Sequence, residues 1–134
     1  MGGAVAKILL IDDEPSIRTY FERLLTGLRY EVQTASDSPT GLACAERTRF
    51  DLIISDLNMP GTPSGLDLIK MLREKHPGCP VVVISGYPTR ERLDACREMG
   101  VVDFLTKPFE MPFIVSVLSR LLPPESKTKD AATK

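Results

Sequence analysis

The chain has 134 residues, 43% of them hydrophobic and 26% charged, with a formal net charge of −1. That length holds one domain with a substantial core and leaves no room for a second of ordinary size. The near-neutral balance carries no electrostatic footprint for nucleic acid, and no apolar run approaches the roughly eighteen residues of a membrane span. Three widely spaced cysteines, Cys44, Cys79 and Cys96, accompany a single histidine, His76. The pattern argues against a zinc-ligand set and against a disulfide framework. It reads as small semi-buried thiols in a reducing cytoplasm. The N-terminus lacks the charged-then-apolar order of a signal peptide.

Residues 1–6 are expected to be a flexible lead. Lys7–Ile11 is a continuous apolar run, as in a strand buried on both faces. Asp12, Asp13, Glu14 and Pro15 follow directly, with Pro15 suited to the first helical turn and the acids to its positive end. Ile17, Tyr20, Phe21, Leu24, Leu25 and Leu28 then recur at helical spacing, which predicts an amphipathic helix. Glu31–Ala35 reads as a second strand. Ser36, Asp37, Ser38 and Pro39 open a helix that runs to Arg47.

Asp51–Asp56 is an apolar strand that ends on a carboxylate. Pro60, lacking an N–H, prevents its simple continuation. A loop from Gly61 to Gly65 leads into a helix with Leu66, Ile69 and Leu72 on one face, closed at His76-Pro77-Gly78. Val81–Ile84 is a buried strand leaving through Ser85 and Gly86. Thr89–Met99 predicts a polar helix stopped by Gly100, and Val101–Leu105 a fifth strand leaving through Thr106, Lys107 and Pro108. Ile114, Val117, Leu118, Leu121 and Leu122 mark a last helix, ended by Pro123-Pro124. Residues 123–134 carry no large apolar side chain and read as a linker stub or disordered tail. The domain proper is thus residues 7–122.

Strands alternating with helices predict an α/β fold with a parallel sheet, right-handed crossovers and helices on both faces. The doubly wound order with five strands is 2-1-3-4-5, and ligands of such sheets sit at the carboxyl ends of the strands. In that order Asp12, Asp13 and Asp56 meet at one edge, and Ser85 and Lys107 arrive there from the fourth and fifth strands. Taken singly, each residue has a plainer reading. Asp12 and Asp13 can start a helix, Asp56 can occupy a turn, and Phe104 can be core. Together they need a common explanation. Two unit charges 4 Å apart repel by roughly 4 kcal/mol at an effective dielectric near 20. A carboxylate cluster is tolerable when a hard cation such as Mg2+, or a lysine, neutralises it. A nucleophile, a cation cradle, a lysine and a hydroxyl donor are the parts needed for phosphoryl transfer to a carboxylate.

Four segments carry a resemblance that covers nearly the whole folded chain. They are Ile-Asp-Asp-Glu after the first strand, Ser-Asp-Leu-Asn-Met-Pro after the third, Ile-Ser-Gly after the fourth and Asp-Phe-Leu-Thr-Lys-Pro-Phe at the fifth. In these the sequence resembles a CheY-like response-regulator receiver domain. The resemblance implies a flavodoxin-like fold, phosphorylation of Asp56 and Mg2+ (or Mn2+) held by Asp12, Asp13, Asp56 and the Asn58 carbonyl. It implies that Ser85 and Lys107 bind the phosphoryl group, that the Lys107-Pro108 bond is cis, and that Phe104 follows Ser85 inward on activation. Asn58 and Tyr87 are expected to flank the path of hydrolytic water, with the bulk of Tyr87 lengthening the phosphorylated lifetime.

By the same resemblance the donor is a histidine kinase or histidine phosphotransfer protein. The recipient is a downstream protein or a covalently linked output domain, reached through the face of the fourth helix, fifth strand and fifth helix. The chain is expected to be a cytoplasmic monomer or phosphorylation-dependent dimer. It is not an enzyme, apart from its own Mg2+-dependent phosphotransfer and dephosphorylation. Three departures from the family pattern stand out. The loop between Pro60 and Gly65 has one extra residue, Phe104 replaces a frequent tyrosine, and Ser85 stands where threonine is also common. Two other readings compete: an interaction module that is never phosphorylated, and a metal-dependent phosphatase. The aspartyl-phosphate phosphatases place a second Asp two residues after the nucleophile, where this chain has Asn58.

Overall fold

Alternation of side chains along each strand divides the apolar residues between two layers. In the computed structural model, which describes residues 5–59 and 61–122, Lys7–Ile11 forms β1. Its Ile8 and Leu10 enter one core cluster, whereas Leu9 and Ile11 enter the other. The remaining elements are α1 (Pro15–Gly27), β2 (Glu31–Ala35), α2 (Ser38–Arg47), β3 (Leu52–Asp56), α3 (Gly65–Lys75), β4 (Val81–Ser85), α4 (Arg90–Glu98), β5 (Asp103–Thr106) and α5 (Met111–Leu121). The sheet is parallel throughout, in the order β2-β1-β3-β4-β5. This is the predicted doubly wound topology.

The two layers follow from the strand pattern. Phe21 and Leu25 of α1 and Ile114, Val117 and Leu118 of α5 pack against Ile8, Leu10, Leu52, Ile54, Val82 and Ile84. On the other face, α2, α3 and α4 supply Cys44, Ala45, Leu68, Ile69, Leu72 and Cys96 against Leu9, Ile11, Ile53, Val81 and Val83. Of the three inner strands, β3 and β4 are buried at every residue and β1 at all but Lys7. Among the described residues, no helix is long and apolar enough to cross a membrane. All three cysteines are buried and free.

Local signals explain most of the boundaries. Asp37 caps α2 by accepting from the Thr40 N–H at 2.8 Å, and the Thr40 side chain first, then this N–H, hold the Asp37 carboxyl below its ordinary pKa. Ser64 and Thr89 cap α3 and α4 in the same way. Ala6 is buried and its carbonyl accepts from the Glu31 N–H, so the fold reaches one residue before β1. The fifth strand begins later than the sequence pattern predicts, at Asp103 rather than Val101. Gly100, at φ +87°, turns the chain at the end of α4, and the Gly100 and Val101 N–H groups donate to Arg97 and Cys96. Val101 thus closes the helix instead of entering the ladder. The expectations for residues 1–4, Pro60 and 123–134 lie outside the described residues.

One glycine is fixed by contact. A Cβ on Gly65 would lie 1.9 Å from the Leu57 carbonyl oxygen, so the start of α3 can approach the segment after β3 only with hydrogen at that position. Gly65→Ala must push the backbone apart, as overpacking does elsewhere, and is expected to destabilise the fold by about 1–3 kcal/mol. A urea midpoint for Gly65→Ala equal to that of the unchanged protein would contradict this.

Candidate functional site

The carboxyl ends of β1, β3, β4 and β5 meet because the registers align them. Ile11 lies opposite Ser55, Asp56 opposite Ile84, and Ser85 opposite Thr106. Asp12 and Asp13 follow β1 by one and two residues, Asp56 ends β3, Ser85 ends β4 and Lys107 follows β5. The Lys107 N–H donates to the Ser85 carbonyl at 2.9 Å, fastening the last two of these residues to each other. The Lys107-Pro108 peptide is cis, as is Thr62-Pro63. All the predicted polar residues of the strand ends therefore share one edge.

Three carboxylates crowd this edge. One oxygen from each of Asp12, Asp13 and Asp56 falls within 4.8 Å of the others. Asp12 is fully buried and Asp56 is 2% exposed, whereas Asp13 is exposed. The Asp12 backbone is pinned on both sides: its N–H donates to the Ala35 carbonyl and its carbonyl accepts from Arg18 Nη1 at 2.8 Å. Its Oδ1 accepts from the Glu14 N–H at 2.9 Å. Its Oδ2 is buried and is met only by the ion pair with Lys107 Nζ at 3.4 Å. Burial raises the Asp12 pKa to about 6; the Glu14 N–H pulls it down, the Asp56 charge pushes it up, and Lys107 lowers it.

Lys107 is the cation in the centre. Its Nζ lies 2.6 Å from Glu14 Oε1 and 3.4 Å from each of Asp12 Oδ2 and Asp56 Oδ2. Burial works against its charge, but the Glu14 bond and the negative charges of Asp56, Asp12 and Glu14 prevail and raise its pKa. It is therefore protonated across the physiological range. Glu14 had no separate role in the sequence reading, where the acidic run suited the start of α1. It stands at the N-cap position but makes no side-chain cap, and its carboxylate turns to Lys107 instead. Its place in the run Asp12-Asp13-Glu14 was the available signal. Arg18, one turn into α1, had none.

The remaining predicted residues surround Asp56. The Asn58 N–H donates to Asp56 Oδ1 at 3.0 Å, and Lys107 Nζ to Asp56 Oδ2. The fully buried Ser85 donates its hydroxyl to Asn58 Oδ1 at 2.7 Å and accepts from the Tyr87 N–H at 3.0 Å. Tyr87 reaches the site through its backbone, and its side chain is 69% exposed. Phe104 is half-buried against the α2–α3–α4 core layer. It pairs with Val83, two residues before Ser85, so Phe104 and Ser85 share one face of the sheet.

The donor set suits a hard divalent cation: carboxylate oxygens converge, and one buried carboxylate oxygen is met only by a 3.4 Å ion pair with Lys107. Four carboxylates, counting Glu14, face one ammonium. The arrangement can bind a cation, which reduces the negative excess built into the fold and so lets the edge accept an anionic phosphoryl group. Without a cation, ionised Asp12 is a liability. A carboxyl whose pKa is higher folded than unfolded destabilises the fold at pH values above both. The change from 3.8 to about 6 corresponds to at most about 3 kcal/mol. Asp12→Asn should raise metal-free stability at pH 7.5 by about 1–3 kcal/mol, with the gain vanishing as the pH falls from about 6 to below 4. Chemical denaturation in chelator checks this; equal or lower stability of the D12N protein would contradict it.

Comparison with known proteins agrees with this geometry. The profile of the response regulator receiver domain matches residues 8–119. The chain is 32% identical over 124 residues to the response regulator protein PilR of Pseudomonas aeruginosa, covering 90% of this chain and 28% of PilR. Across the first curated relatives it spans between about a quarter and a half of their length. The fold superposes on the chemotaxis protein CheY4 of Vibrio cholerae with a TM-score of 0.82 at 35% identity, covering 89% of this chain and all of CheY4. It also superposes on the receiver domain of a Pseudomonas aeruginosa sensor histidine kinase, which has a magnesium ion coordinated in its active-site cleft. There the TM-score is 0.78 at 28% identity, covering 88% of this chain and 98% of that one. The chain belongs to the response regulator receiver domain family, the phosphorylation-controlled switches of signalling.

Proposed function

We propose that Asp56 accepts a phosphoryl group from a phosphohistidine and that the resulting charge drives the switch. The observation that carries this is the position of Asp56 at the centre of the polar edge. Its Oδ2 lies 3.4 Å from Lys107 Nζ, and the Asp12 and Asp13 carboxylates lie close by. In the reaction an Asp56 carboxylate oxygen forms a bond to phosphorus while the phosphorus–nitrogen bond of the donor breaks. The electron pair of that bond stays on the imidazole. Lys107 holds a positive charge beside the accepting oxygen throughout, and Ser85 has the hydroxyl to donate to a phosphoryl oxygen.

Asp12, Asp13 and Asp56 through their side chains, and Asn58 through its backbone carbonyl, would hold Mg2+. When bound it neutralises charge on the carboxylates and on the phosphoryl oxygens. Phosphorylation takes Asp56 from one negative charge to nearly two. In this reading Ser85 moves toward the phosphoryl group, Phe104 turns inward behind it, and the face of α4, β5 and α5 shifts its population toward an active shape. Asn58 and Tyr87 flank the path of hydrolytic water to the phosphoryl group, and the bulk of Tyr87 lengthens the phosphorylated lifetime. A histidine kinase or phosphotransfer protein supplies the group. A downstream protein or linked output domain reads the altered face, in a cytoplasm where the buried thiols stay reduced. The PilR and NtrX relatives, longer than this chain, favour a linked output domain.

Intact-protein mass after incubation with acetyl phosphate tests the assignment. A single Mg2+-dependent phosphoryl adduct is expected, and Asp56→Asn should abolish it. An adduct that persists in the D56N protein would move the acceptor elsewhere, and no adduct with any donor would favour a module that is never phosphorylated.

A further inference from the structure

The Ser85 hydroxyl has one proton to donate. In the resting site that proton goes to Asn58 Oδ1, at 2.7 Å, inside a position where Ser85 is fully buried. Its oxygen meanwhile accepts from the Tyr87 N–H at 3.0 Å. Ser85 therefore cannot donate to a phosphoryl oxygen until it releases Asn58. The same residue also touches the acceptor carboxylate, because the Asn58 N–H donates to Asp56 Oδ1 at 3.0 Å. Asn58 is thus hydrogen-bonded to the phosphorylation site through its backbone and to the switch hydroxyl through its side chain.

We infer that Asn58 is a positioning residue for the switch: it holds the Ser85 hydroxyl in the resting state and yields it when Asp56 is phosphorylated. The inference rests on the reading of Asp56 as acceptor and goes beyond it, because it gives the Asn58 amide a role before any phosphoryl group arrives. Esterifying Asp56 makes the carboxylate a weaker acceptor for the Asn58 N–H while offering Ser85 charged oxygens that outcompete a neutral amide. Both effects loosen the same residue. The cost of parting Ser85 from Asn58 is then subtracted from the affinity of the site for a phosphoryl group. Asn58 is half-buried in the segment after β3, so its side chain can be changed without opening the core, and its backbone carbonyl and N–H remain.

The test is a double-mutant cycle on the affinity for beryllium fluoride in Mg2+, a phosphoryl mimic, with Asn58→Ala, Ser85→Ala and the pair. Asn58→Ala should tighten binding about fivefold, the equivalent of one neutral hydrogen bond. In the Ser85→Ala background it should change nothing. Asn58→Leu, which keeps bulk but has no acceptor, should behave like Asn58→Ala. In the protein without ligand, Tyr87 amide hydrogen exchange should quicken severalfold in both variants, since the hydroxyl that receives this N–H is no longer held. Unchanged or weaker binding, equal tightening with and without Ser85, or unaltered Tyr87 exchange would overturn the inference. Failure of the unchanged protein to bind the mimic at all would instead overturn the assignment of Asp56 on which it rests.

Discussion

Crowding of like charge at the carboxyl edge is the constraint on which the rest of this molecule depends. A buried Asp12, a nearly buried Asp56 and a neighbouring Asp13 are held within a few ångströms of one another, and the described residues supply one lysine to face them. Burial and the Asp56 charge both raise the pKa of Asp12, while Lys107 is kept charged by the acids it neutralises. Such a cluster is costly to fold. It persists because the backbone around it is over-determined: parallel registers on β1, β3, β4 and β5, the Arg18 bond to the Asp12 carbonyl, and the Ser85–Lys107 backbone bond. The stored imbalance makes the edge receptive to a divalent cation, whose positive charge relieves it.

The sheet order was legible because the apolar runs are short, nearly continuous and separated by helical periodicity. Alternation of that kind leaves few right-handed topologies. The edge residues could be grouped only through that topology, since Asp12 and Lys107 are far apart in the chain and no local pattern relates them. Details of how two helices end, and of one side chain's partner, were not legible. Arg29, at φ +74°, turns the chain after α1, although Gly27 is close by and better suited to that conformation. Val101 is apolar and β-branched like a strand residue, but its N–H is taken by the end of α4. Glu14 resembles a helix-start acid and instead grips Lys107. Arg29 and Val101 were decided by the closing turns of the helices before them, through N–H bonds to the Thr26 and Cys96 carbonyls, and Glu14 by a lysine far along the chain.

Hydrogen-bond capacity links the charged edge to the rest of the domain. Ser85 is committed to Asn58 and the Tyr87 N–H, and Phe104 lies on the same face of the sheet beside the α2–α3–α4 core layer. In the proposed switch, a shift of Ser85 toward Asp56 changes the space next to Phe104. β3 and β4, buried at every residue, form a rigid floor for that motion. β5 is only partly buried and α4 buries only Cys96, so these elements can move at lower cost. The site thus adjoins a partly buried edge strand and the thinly buried α4.

The central claim is that charge added at Asp56 changes the α4–β5–α5 face through Ser85. Its most direct test is backbone amide hydrogen exchange with and without Mg2+ and beryllium fluoride, in the unchanged protein and in Ser85→Ala. The account predicts that the bound mimic alters exchange at Phe104 and along α4, and that these changes shrink in the S85A protein although the mimic still binds. Unaltered exchange across α4, β5 and α5 with Asp56 occupied, or the same changes with and without the Ser85 hydroxyl, would contradict it.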